Sequence, residues 1–120
     1  MATFISRLFG QAGSGGVCNI NIYTVGVTAS SAKSRVYVDI NGTQYTDGNI
    51  SVPNGTLITV YAYNPASTSY GMINVDGTIV VMGGSTAGWL SYTYQVTGNI
   101  SIELRVPSNN GWANIITGVS

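Results

Sequence analysis

Histidine is missing from this chain altogether, which removes the side chain that most often moves protons near neutral pH. Cysteine occurs once, at Cys18, so no disulfide can form within the domain and the fold must rest on packing. With a single cysteine and no histidine, the ligand sets of zinc and iron–sulfur sites are excluded. Charge is sparse, with four basic and four acidic residues that cancel. A surface of this kind releases few counterions from a phosphate backbone, so neither nucleic acid nor an anionic membrane is an expected partner. No run approaches the roughly 18 apolar residues of a spanning helix. Arg7 interrupts the apolar stretch Ala2 to Phe9, so a secretion signal is not expected either.

The chain has ample apolar material, 44% of residues, together with 16 glycines; its length suits one domain, and disorder driven by charge is not expected. Five Asn-Gly or Asp-Gly pairs punctuate it, at Asn41, Asp47, Asn54, Asp76 and Asn110. These pairs tolerate positive φ and suit tight turns between short antiparallel strands. The runs between them alternate apolar with polar. Val36, Val38 and Ile40 share one face, with Tyr37 and Asp39 on the other. Thr56 to Tyr63 is the longest expected core strand and is apolar on both faces, which predicts a central position. Leu90, Tyr92, Tyr94 and Val96 oppose Trp89, Ser91, Thr93 and Gln95. Ile100, Ile102, Leu104 and Val106 form the cleanest core face. Asp47-Gly48 and Gly98-Asn99 read as further hairpin turns, and Trp112 to Thr117 as an edge strand or a packed tail. The reading is an all-β antiparallel sandwich over residues 17–120.

Residues 1–16 differ. Phe4, Ile5, Leu8 and Phe9 fall within one arc of a helical wheel, yet nine residues cannot hold a helix alone in water. The segment must therefore dock on its own domain, a sister chain or another protein to become ordered. Gly10 to Gly16 follows as a glycine-rich linker with a reach of about 15 Å.

Catalytic machinery is hard to assemble from what remains. Asp39 and Asp47 could approach each other across the Asn41-Gly42 hairpin as a carboxylate pair, although turn residues in solvent are the simpler reading. Asp39 to Gly42 departs from a calcium loop, because the glycine comes too early and position twelve is Ile50. The glycines at 10, 13, 15 and 16 follow no strand and precede no Lys-Ser/Thr pair, so they do not make a phosphate loop. Four Asn-x-Ser/Thr triplets begin at Asn41, Asn49, Asn54 and Asn99; with no secretion signal expected, they read as turn asparagines. No catalytic residue, metal or cofactor is expected. The aromatic side chains are the best binding candidates, since Tyr and Trp join apolar area to a hydrogen-bonding tip. Tyr61, Tyr63 and Trp89 are the ones singled out as stacking platforms for glycans.

The stretches Val36 to Thr43, Tyr45 to Gly48, Ile50 to Thr56 and Ile58 to Ala62, with Val52-Pro53-Asn54-Gly55-Thr56 at their centre, resemble immunoglobulin-like modules of bacterial and phage surface proteins. Tyr92 to Ile102 is similar to the closing hairpin of the same modules. Paired cysteines of the antibody type are lacking. The resemblance covers about two thirds of the chain by our own reading of these motifs and defines fold better than function. A single module with an apolar arm is similar to the small capsid-decorating or head-fibre proteins of phages, including those of gut Bacteroidetes. That resemblance implies a virion location after assembly in a host cytoplasm, multiple copies, and contact of Phe4, Ile5, Leu8 and Phe9 with the major capsid or another virion protein. The alternative is a carbohydrate-binding or adhesion module that uses Tyr61, Tyr63 and Trp89.

Overall fold

The computed structural model describes residues 16–66 and 68–119. Phe4, Ile5, Leu8 and Phe9 lie outside the described residues. Ten strands follow in chain order: β1 (Val17–Val25), β2 (Val36–Ile40), β3 (Thr43–Tyr45), β4 (Gly48–Pro53), β5 (Leu57–Asn64), β6 (Met72–Val75), β7 (Thr78–Met82), β8 (Gly88–Gln95), β9 (Ile100–Arg105) and β10 (Trp112–Thr117). They form a six-stranded sheet, β4-β1-β9-β10-β6-β7, packed on a four-stranded sheet, β3-β2-β5-β8. The molecule is an all-β sandwich.

Alternation decides which side chains meet between the sheets. Ile20 and Ile22 of β1, Ile102 and Leu104 of β9, and Ile115 of β10 face Val36 and Val38 of β2 and Ile58 and Val60 of β5, all of them buried. Each fully buried side chain of this size stabilises the fold by about 1.5 to 3 kcal/mol relative to exposure. Cys18 is buried within the same core, as a small hydrophobe. One turn of helix, α1 (Ala29–Ala32), links β1 to β2; Thr28 caps it by accepting from the Ser31 amide, and Ala32 is buried beneath it.

The five Asn-Gly and Asp-Gly pairs do not all do the same work. Asn41-Gly42 and Asp76-Gly77 have positive φ at both residues, the geometry of a type I′ turn, and they close the β2–β3 and β6–β7 hairpins. Asp47-Gly48 does not make the expected hairpin: it carries the chain from β3 in one sheet to β4 in the other. Gly98-Asn99 is corrected in the same way, because β8 and β9 belong to different sheets. Asn54-Gly55 turns β4 into β5, again between sheets, with the Thr56 amide donating to the Pro53 carbonyl at 3.1 Å.

Two pairings are parallel, β1 with β9 and β10 with β6, while the other pairs run antiparallel as expected. Parallel partners need a long connection, and here excursions through the opposite sheet supply it. Trp112 to Thr117 is also corrected: β10 is an interior strand, hydrogen-bonded to β9 on one side and β6 on the other. β5 is interior as expected, between β2 and β8.

Candidate functional site

The outer face of the four-stranded sheet gathers four aromatic side chains, Tyr37, Tyr61, Tyr63 and Trp89. Register sets them side by side: Tyr37 opposes Tyr61, and Tyr63 opposes Trp89. Because β2 and β5 bury their alternate residues and β8 turns its half-buried ones inward, these side chains have only the outer face to occupy. Tyr37 and Tyr61 stack at 4.8 Å between ring centroids, with planes 23° apart. Trp89 lies 5.4 Å from Tyr37 in a tilted contact and 5.5 Å from Tyr63 edge to face. The Arg35 guanidinium sits 5.3 Å from the Tyr63 ring centroid, within the range of cation–π attraction.

The three aromatic residues expected as binding candidates, Tyr61, Tyr63 and Trp89, are thus brought into one cluster. Tyr37, placed outward by the alternation but not singled out for binding, and Arg35 complete it. The signal for Tyr37 was its place opposite Val36 and Val38 in the alternation, but which aromatic side chain it would meet depended on the β2–β5 register. Trp89 is 46% exposed and presents the most open ring surface of the group. Tyr37 and Tyr61 already cover part of each other's faces, and Trp89 reaches both Tyr37 and Tyr63, so the four rings form one continuous ridge.

Polar groups border the ridge. Asp39 and Thr59 sit side by side, as do Thr59 and Thr93 and Tyr61 and Ser91; the two threonine hydroxyls are 3.4 Å apart. Partial burial, the neighbouring Tyr61 phenol and the Asp39 carboxylate together hold the Tyr37 hydroxyl above the usual tyrosine range. At neutral pH it therefore stays protonated and can both donate and accept. Such a surface suits stacking on an apolar ligand face combined with hydrogen bonds at its rim.

The carboxylates are used differently. Asp39 accepts from the Gly42 amide at 3.1 Å and so braces its own hairpin. Asp47 lies in the connection to β4, and no hydrogen bond joins it to Asp39 among those found for the described residues. Glu103 accepts from Arg105 at 3.3 Å and from Asn114 at 2.6 Å, on the outer face of the other sheet. A shallow open cleft of about 590 Å³ on that same face is lined by Asn19, Asn21, Asn49, Asn99 and Ser101. Asn49 and Asn99, two of the four triplet asparagines, meet there, and Asn99 accepts from the Asn19 amide at 2.9 Å. No group of three or more acidic or cysteine side chains that could hold a metal occurs among the described residues.

The sandwich has two distinct ends. At one, the Gly16 carbonyl accepts from the Asn54 amide at 3.1 Å, and the next residue of that turn, Gly55, donates to Val96 at 2.7 Å. This is where residues 1–15 join the domain. At the other, Tyr63 donates to the Arg35 carbonyl at 2.7 Å and accepts from the Gly111 amide at 2.9 Å, beside Trp89. Six residue steps along β5 carry the chain from Leu57 to Tyr63, about 20 Å of strand. The chain joins at one end and the Trp89–Tyr63–Arg35 group sits at the other.

No protein-family model, curated protein or solved structure matches this chain.

Proposed function

We propose that this protein is a structural virion component, an auxiliary capsid or head-decoration protein. In this reading residues 1–16 tether it to the capsid shell and the β-sandwich is displayed outward, with no reaction involved. The observation that carries the reading is the polarity of the module. The apolar arm enters at the Gly16 end, while the aromatic ridge of Tyr37, Tyr61, Tyr63 and Trp89 extends to the opposite end. A tether at the base and an adhesive face at the tip is the layout a displayed module needs. Burial of Phe4, Ile5, Leu8 and Phe9 would supply about 1.5 to 3 kcal/mol for each side chain fully covered, multiplied by repeated copies on a symmetric shell.

The ridge favours a second reading that is compatible with the first, a glycan-binding face. Trp89 offers an open ring, and Ser91, Thr59 and Asp39 offer hydroxyl and carboxylate partners for sugar hydroxyls. One comparison addresses both. A chain lacking residues 1–16 is expected to stay folded, because β1 begins at Val17 and the core at Cys18, so that the deletion costs the domain only the Asn54 amide's bond to the Gly16 carbonyl, and to be absent from purified particles. Incorporation at normal copy number would reject the tether. Trp89→Ala is expected to leave incorporation intact while abolishing any specific signal on a glycan array; an unchanged signal would reject the ridge as the sugar site.

A further inference from the structure

A β-sheet edge presents unpaired backbone groups that invite another strand, and proteins ordinarily blunt such edges. Four strands end the two sheets here: β4 and β7 in one, β3 and β8 in the other. Three of them carry a blunting device. β3 is only three residues long. β4 ends in Pro53, and proline cannot donate to a further strand. β7 carries a register shift against β6 between Ile73 and Asn74, so that Val80 is left over on its strand, a bulge that bends an edge away from flat pairing.

β8 has none of these. Its eight residues pair with β5 in unbroken register from Gln95 to Gly88, and the strand contains no proline and no charge. The chain carries no charged residue at all between Asp76 and Glu103. Its outward side chains Trp89, Ser91, Thr93 and Gln95 are exposed, and its inward Leu90, Tyr92 and Tyr94 are only half-buried. Those three pack on the core from the sheet's rim and leave apolar surface uncovered.

We infer that β8 is a homotypic docking edge: two copies of this chain pair antiparallel through β8 and join their four-stranded sheets into one continuous sheet. The strand's own pattern selects a second copy as the occupant. Antiparallel pairing keeps opposed side chains on the same face, so a two-fold axis must pass through a residue and not between two. With the axis at Tyr92, every residue from Trp89 to Gln95 is paired. Leu90 then covers Tyr94 of the other copy on the inner side, Ser91 meets Thr93, and Trp89 meets Gln95 on the outer side. No like charges are opposed, and the net charge of zero adds no repulsion between whole molecules. The interface is isologous and closes as a dimer. It also sets the two aromatic ridges on one continuous outer face. The inference does not depend on the tether, because β8 lies wholly within the described domain.

Light scattering on the full chain across a concentration series tests it. A mass rising to twice the 12.5 kDa chain mass is expected. The double variant Ser91→Lys with Thr93→Lys opposes two pairs of like charges in this register, and should weaken the dimer roughly tenfold or more. Both positions are exposed, so circular dichroism and thermal unfolding should show the monomer fold retained. Mixing that variant with one carrying Ser91→Glu and Thr93→Glu should restore association as a heterodimer, which misfolded chains would not do. A full-length protein that stays monomeric at all concentrations overturns the inference, as does a dimer indifferent to the lysine pair or a mixture that fails to recover. A monomer that dimerises only after removal of residues 1–16 would assign the edge to the arm and overturn it as well. Normal virion incorporation of a chain lacking residues 1–16, with the dimer intact, would instead count against the tether alone.

Discussion

At the scale of single residues, buried or constrained polar groups decide how the loops are held. Asn64 at the end of β5 is 1% exposed. Its amide donates to the Gly84 and Thr86 carbonyls at 2.8 and 2.7 Å and accepts from the Gly71 amide at 3.1 Å. One side chain thus fastens two connections that have no ladder of their own. Asp76 does similar work at the β6–β7 turn. Thr117 donates to it through its hydroxyl and, at 2.9 Å, through its backbone amide. The hydroxyl bond first, then the amide bond, hold the Asp76 carboxyl below its ordinary range, against a small opposing effect of desolvation. A carboxyl whose folded pKa is depressed adds stability that is fully present above its unfolded pKa and is lost as pH falls through the folded one. Thr117→Val removes the hydroxyl and leaves the amide. The Asp76 titration, followed by NMR of its carboxyl carbon, should move upward toward the ordinary value, and the stability lost between neutral and acid pH should shrink, because the folded pKa then lies closer to the unfolded one. A titration midpoint identical to wild type would show that the hydroxyl is not the cause.

At the scale of elements, close approach of backbones governs where strands can pass. Gly111, just before β10, donates to the Tyr63 carbonyl, and Tyr63 donates to Arg35. A Cβ added at Gly111 would lie 2.0 Å from the Arg35 carbonyl oxygen and 3.0 Å from the Tyr63 nitrogen. Backbone cannot swing aside as a flexible side chain can. Gly111→Ala should therefore cost about 3 kcal/mol in urea unfolding and should alter Trp89 fluorescence, since the displaced peptides carry the ridge. Gly84→Ala meets nothing within 4 Å and should stay within about 0.5 kcal/mol of wild type. Equal costs for the two variants would refute the packing argument. The same contrast shows what sequence could convey. Asn41-Gly42 and Asp76-Gly77 were legible as hairpins because turn chemistry is local. Asp47-Gly48 and Gly98-Asn99 carry much the same chemistry, yet they cross between sheets, a choice made by the whole core. Strand faces were legible from alternation, and so were Tyr61, Tyr63 and Trp89 as outward candidates. Their union with Tyr37 and Arg35 was not, because it rests on the register of β2 against β5 and on how the chain closes near Gly111.

At the scale of the molecule, the first and last described strands, β1 and β10, are tied together through β9 in the six-stranded sheet. β1 finds its parallel partner β9 some 80 residues later, Ile20 beside Ile100, and β9 is in turn held by the last strand. Contacts of such separation make folding slow among small domains, on the order of milliseconds to seconds. β10 is the keystone. It pairs with β9 over six residues and with β6 over four, and it brings Ala113 and Ile115 into the core. β6 and β7 connect to the rest of their sheet only through it. An exposed edge strand could be trimmed at modest cost, and Trp112 to Thr117 has the half-buried alternation that such a strand shows. The topology demands the opposite outcome. A chain ending at Asn110 leaves β9 without its antiparallel neighbour, strips the cover from Ile102 and Leu104, and detaches the β6–β7 hairpin. It should show no cooperative urea transition and no near-ultraviolet dichroism from Trp89 and the tyrosines around it. A sharp transition displaced by only about 1 kcal/mol, the size expected for an ordinary single substitution, would mean that the last strand is peripheral and that the six-stranded order assigned to this sheet is wrong.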